Sequence, residues 1–152
     1  MMQRDVQAIV DGALGGAIGT AAMSAVMAVG AKLGLLGTAP PETIAAQALA
    51  AVGIRRRKEE AQDVLTVVGH VGFGIAIGAL FAVLHRRLRL PIPPAIHGIV
   101  FATIVWVVSY KGWVPALGLM PPPERDRPSR PATMLVAHWV FGWTLGAIVG
   151  RR

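Results

Sequence analysis

The chain has 152 residues, 54% of them hydrophobic and only 15% charged. A typical soluble domain carries roughly 25% charged residues to clothe its surface, so the composition excludes an ordinary soluble fold and points to a bilayer as the solvent. The formal net charge of +7 does not argue for nucleic acid: the Lys and Arg residues flank apolar runs, where lipid headgroups lie, and no basic face with interleaved aromatics is present.

The first apolar run extends from Val10 to Leu36, with Asp11 at its entrance and Lys32 near its exit. It continues well past the small-residue stretch Ala21 to Ala25, so it reads as a retained span rather than a cleaved leader. Pro40 and Pro41 break it, and Glu42 suits the first turn of a new helix. Ile44, Ala48, Leu49 and Val52 then share one side, and Gly53 caps the end, which predicts a short amphipathic helix over residues 42–53 at the membrane surface. The following RRRKEE is a solvated turn. A second run, Val64 to Leu84, stops at His85-Arg86-Arg87, and a tight connection ending in Pro93-Pro94 leads into a third, Pro94 to Tyr110. The loop PPPERDRPSRP, too rich in Pro and charge for a helix, reads as ordered or semi-rigid. The fourth run, Ala132 to Gly150, ends at Arg151-Arg152.

A helix needs about 20 residues to cross hydrocarbon, and in lipid each backbone amide must be satisfied within its own segment. The expected fold is therefore an all-α membrane protein, a single domain over residues 1–152 with four transmembrane helices at about 10–36, 64–84, 94–110 and 132–150. Arg55, Arg56, Arg57, Arg86, Arg87 and Arg89 are expected at lipid headgroups. Orientation is open. The Lys and Arg count favours the long loops in the cytoplasm, whereas the density of Arg86, Arg87 and Arg89 in the short connection favours the reverse.

Residues 69–79 read GHVGFGIAIGA and residues 137–147 read AHWVFGWTLGA, one pattern of His, Phe-Gly and Gly-Ala at equal spacing. Leu33-Gly34-Leu35 before Pro40-Pro41-Glu42 is likewise echoed by Leu117-Gly118-Leu119 before Pro122-Pro123-Glu124. The echoes keep their order, which predicts two parallel-repeat hairpins related by an axis along the membrane normal. His70 and His138 then lie at equal depth, roughly 9 Å below one interface at 1.5 Å of rise per residue. Gly74 and Gly78, and Gly142 and Gly146, follow their histidine at steps of four, and Gly12, Gly16 and Thr20 carry the same spacing on the first span. These are expected helix-packing positions.

An imidazole in hydrocarbon needs a partner. Three roles are open to His70 and His138: hydrogen bonding to a neighbouring helix through a backbone carbonyl, Thr103, Thr144, Trp139 or Trp143; ligation of haem b or a metal ion; or a proton relay in an oligomeric ion or small-solute carrier. His85 and His97, beside the tight connection, are expected at the interface. No nucleophile–base pairing stands out, so no catalytic residue is assigned and enzymatic activity is not expected.

The phrases H-x-x-F-G in the second span, V-P-A-L-G-L from Val114 to Leu119 and A-H-x-x-F-G in the fourth resemble the YagU-like group of bacterial inner-membrane proteins, a domain of unknown function, over about Gly12 to Gly150. The resemblance implies a multi-pass helical protein of the bacterial cytoplasmic membrane, without an established activity or catalytic residues, and a link to acid tolerance. The expected role is a small membrane protein that self-associates or serves as an accessory subunit of a membrane complex.

Overall fold

The computed structural model describes residues 2–37, 40–51 and 59–151, and every regular element among them is helical. Helix α1 (Met2–Lys32) is followed by α2 (Pro40–Ala51), α3 (Glu59–Leu88) and α4 (Pro94–Val107). A π-helical turn (Val108–Trp113) and the one-turn α5 (Val114–Ala116) prolong α4, and a 3-10 turn (Pro123–Arg125) precedes α6 (Ser129–Val149). Four stretches are long and apolar enough to cross a membrane: Asp5–Lys32, Asp63–Leu88, Pro94–Ala116 and Ser129–Val149. Their outward residues are apolar as well. Val10, Leu14, Val67, Val100, Ile104 and Val136 are all exposed, a surface that a water-soluble bundle would have to hide.

Several bounds differ from expectation. The first helix starts at Met2 and stops at Lys32. The stop comes from Gly34, whose φ of 73° lets the chain fold back in a Schellman cap. There the Gly34 and Leu35 amides bond Ala31 O and Gly30 O, each at 2.9 Å. The third span runs past Tyr110 to Ala116 across a kink at Gly112, whose backbone leaves the helical region between two helical pieces. The surface helix starts at Pro40 and packs on α3, with Ala45 buried. Val52, Gly53 and the arginines at 55, 56 and 57 lie outside the described residues.

Helix α1 packs against both α3 and α6, and α4 packs against another face of α6. Glycine sets both hairpin contacts. A Cβ on Gly16 would overlap the Gly74 carbonyl oxygen, and one on Gly78 the Gly12 carbonyl oxygen. In the other hairpin a Cβ on Gly98 would overlap the Gly142 carbonyl oxygen, and one on Gly146 the Pro94 carbonyl oxygen. Such close approach of backbones is how helices gain contact where no water drives them together. Thr20 closes the first stripe by bonding Gly16 O at 2.8 Å, which satisfies its hydroxyl in the helix.

The remaining neighbours differ sharply. To α6, α1 offers Gly15 against Leu145 and Ile148, and Gly19 against Phe141, so those helices close tightly. To α3, α4 offers His97 and Phe101, both against Phe81 with ring centroids 5.2 Å apart. Helices α3 and α4 consequently touch little, and do so near the short connection. The core follows this layout, with Met23, Phe81, Ala102, Ala137, Phe141 and Leu145 in one cluster. A smaller cluster holds Tyr110, Val114 and Met120 near the α2 end.

Candidate functional site

Where α3 and α4 part, a cavity of about 300 Å³ lies between them, floored by α1 and α6 and flanked by α2. That volume is at the lower end for a small-molecule site. His70 and His138 both line it, from α3 and α6 respectively. The equal spacing of each histidine from its glycine pair brings them there, since those glycines dock α3 on α1 and α6 on α4.

The two imidazoles are not equivalent. His138 Nδ1 lies 2.7 Å from Met134 O. A carbonyl only accepts, so Nδ1 carries the proton and the lone pair of the neutral ring is on Nε2. His70 Nε2 is shielded from solvent and has no hydrogen-bond partner, and the same holds for Trp106 Nε1, which also lines the cavity. Buried polar atoms left unpaired are uncommon and costly, roughly 1–3 kcal/mol each. Both rings line the cavity although neither nitrogen is open to it, so a ligand atom reaches either one only as its ring turns. The expected Trp and Thr partners are used elsewhere: Trp139 Nε1 donates to Thr103 Oγ1 at 3.1 Å across the α4–α6 contact.

Aromatic rings form much of the wall. Trp106 stacks on Tyr110 with centroids 5.6 Å apart, and Phe73 sits 6.3 Å from Trp113. Tyr110, Ser109 and Trp113 belong to the π turn, whose Gly112 (φ −104°, ψ −106°) departs from helical backbone. The helix kinks there, and pieces on both sides of the kink line the cavity. The Tyr110 hydroxyl donates to Asp126 Oδ2, and Asp126 Oδ1 is 2.7 Å from Arg130 Nη1. The carboxylate's charge is thus matched beside the cavity and not presented to it.

Sequence reasoning missed this network, because its members come from three segments. It also missed Gly98, although Pro94, Gly98 and Ala102 repeat the step of four seen in α1. For His85 and His97, expected beside the tight connection, the structure adds a contact that the sequence did not show. They are bonded to each other, Nδ1 to Nδ1 at 2.8 Å, with His97 buried and His85 stacked on Phe81. Both flank one short connection, which was the available signal. Replacing His97 by Ala should lower stability by about 2 kcal/mol, since it leaves His85 Nδ1 unpaired and empties space beside Phe81. Phe at the same position, keeping a ring without the bond, should fall between Ala and wild type. Denaturant melts in mixed micelles report the order, and equal melts for all three would remove any structural role for the pair.

Arg86, Arg87 and Arg89 are exposed at the connection, with Arg86 3.3 Å from Asp5. Among the described residues no group of three or more His, Cys, Asp or Glu is placed to hold a metal ion. No curated protein and no solved structure matches the chain. A family model does, over residues 6–152, nearly the whole of the helical arrangement just described. The chain belongs to that family, the family of unknown function DUF6789.

Proposed function

We propose that this multi-pass protein is a non-catalytic binding subunit of the bacterial cytoplasmic membrane, built as two copies of one helical hairpin, whose cavity holds a small, largely apolar molecule. The observation that carries the binding role is the cavity itself, of about 300 Å³ and lined by His70, His138 and Trp106, with a nitrogen on each of the His70 and Trp106 rings left without a partner. The motifs that resemble the YagU-like group support the inner-membrane placement. Exposed Trp139 and Trp143 on α6 offer a contact for a second copy or another subunit.

Two features support the duplication beyond the echoed phrases. Gly74 and Gly78 meet Gly16 and Gly12 as Gly142 and Gly146 meet Gly98 and Pro94. The cap at Gly34 recurs at Gly118, where φ is 69° and the Gly118 and Leu119 amides bond Pro115 O at 3.0 Å and Val114 O at 3.1 Å. The copies then differ where the cavity lies. In this alignment His97 and Phe101 stand where α1 has Gly15 and Gly19, so bulk holds α4 away from α3. Gly16 precedes Gly34 by 18 positions, whereas Gly98 precedes Gly118 by 20, and the π turn lies within that longer interval.

Haem b fits the cavity less well. His138 is anchored through Nδ1 as ligating imidazoles commonly are, but among the described residues no Lys or Arg of the lining would meet the propionates. A coupled carrier lacks support for a similar reason, since the lining includes no carboxylate among the described residues. Extraction of protein purified in native lipid discs, followed by mass spectrometry, should recover one lipophilic molecule at near-stoichiometric yield. His70→Leu should lower that yield several-fold. Recovery of bulk phospholipid alone, unchanged by the substitution, would defeat the binding role, and a Soret band would replace the ligand by haem.

A further inference from the structure

We infer that the ligand is a neutral lipid bearing a flat ring with a carbonyl oxygen, of the membrane-quinone type, and that it enters sideways from the bilayer between α3 and α4. This rests on the binding role proposed above and names its ligand class. Charge comes first. Among the described residues the lining includes no Asp, Glu, Lys or Arg, and an ionised headgroup set against them would have no counter-charge. Fatty acids and phospholipid headgroups are therefore disfavoured. Asp126, whose carboxylate accepts from the lining residue Tyr110, is held by Arg130 as well.

Hydrogen bonding narrows the class further. Trp106 Nε1 is unpartnered and can only donate, so a ligand toward which this ring turns must present an acceptor to it. His70 Nε2 can donate or accept according to tautomer, which suits a carbonyl oxygen or the hydroxyl formed when such a ring is reduced. A hydrocarbon tail alone satisfies neither nitrogen. The walls then select shape. Trp106, Tyr110, Phe73, Trp113 and Phe141 surround the space with ring faces and edges, which favour a planar ring stacked or edge-on over a branched chain.

Size and access agree. A cavity of about 300 Å³ takes a ring headgroup but not a long isoprenoid tail. The tail needs an exit into hydrocarbon, and the sparse contact between α3 and α4 supplies one. Exposed Ile104 and Val108 on the α4 side and exposed Leu65 and Phe73 on α3 keep that exit apolar. A ligand so placed stays within the bilayer throughout entry.

The test uses the full chain in lipid discs freed of native ligand, titrated with a benzoquinone carrying a ten-carbon tail. Quinones quench indole fluorescence, and Trp113 at the cavity reports occupancy even when Trp106 is replaced. Saturable quenching is expected, with affinity about tenfold weaker in Trp106→Phe and in His70→Phe, the effect of one lost hydrogen bond in each. Trp139→Phe, which alters a ring bonded to Thr103 instead, should bind as wild type. All variants are checked for an unchanged melting temperature, and His70→Gln, which keeps a polar group, should recover part of the affinity. If a ringless neutral lipid is recovered from the native protein and the quinone does not displace it, the ligand class is overturned while the binding role stands. If neither the quinone nor any native lipid binds saturably, both fall.

Discussion

Leucine at Gly98 should abolish the second hairpin as a packed unit. A Cβ there would already overlap the Gly142 carbonyl oxygen and crowd the Gly146 nitrogen, both backbone atoms of α6 that cannot swing aside as a side chain would. Gly142 in turn faces the Gly98 carbonyl and the Ala102 methyl, so the two helices would separate along the whole contact. Overpacking a side-chain core costs about 1–3 kcal/mol, and forcing two backbones apart loses the dispersion and weak C–H···O contacts of the entire stripe besides. The substituted protein should leave the monodisperse peak on gel filtration in mild detergent, and Gly98→Ala should be weakened in the same sense. Gly72→Ala is the control, because nothing lies within 4 Å of a Cβ there. It should melt within about 0.5 kcal/mol of wild type. Equal melts for Gly98→Leu and Gly72→Ala would mean that α4 and α6 do not meet through these glycines.

That seam shows how far the sequence could be read. Four spans were legible from apolar length alone, because hydrocarbon thickness leaves few alternatives. The glycine stripes of α1, α3 and α6 were legible as steps of four, and the matching positions of His70 and His138 pointed to a shared location, the cavity that both now line. What escaped depends on how one helix sits against another. His85 and His97 were judged each along its own helix, which hides that a short connection folds one ring onto the other. The π turn leaves almost no local signature. Its trace is the two-position slip between the intervals ending at Gly34 and Gly118, visible only once both caps are aligned. The open α3–α4 side goes with His97 and Phe101, large rings that α4 sets against Phe81 where α1 offers α6 only Gly15 and Gly19, a difference between two interfaces that no single segment displays.

The largest loss in a single polar substitution is expected at Arg130, which no local pattern marked. Its Nε donates to Leu36 O at 2.7 Å, just beyond the cap of α1, and its Nη1 meets Asp126 Oδ1 at 2.7 Å. The Asp126 side chain is only 3% exposed and also accepts from Tyr110 and from the Arg127 amide. Ser129 adds a bond to Leu35 O at 2.7 Å. One guanidinium therefore fastens the end of α1, the Pro-rich loop, the start of α6 and, through Asp126, the ring of Tyr110 at the cavity. Arg130→Leu would strand a buried carboxylate without its counter-charge, and breaking such a pair from one side costs about 3–5 kcal/mol. Arg130→Lys keeps the charge but cannot span both acceptors with a planar fork, so it should recover only part. The double variant Arg130→Leu with Asp126→Leu should be more stable than Arg130→Leu alone, because the stranded charge goes with its partner. Denaturant melts in mixed micelles give all three values. A double variant no better than the single would show that the carboxylate is not the source of the loss. Ligand affinity gives an independent reading: with Asp126 lost, Tyr110 loses the acceptor that holds its ring against Trp106, so the double variant should fold and yet bind more weakly.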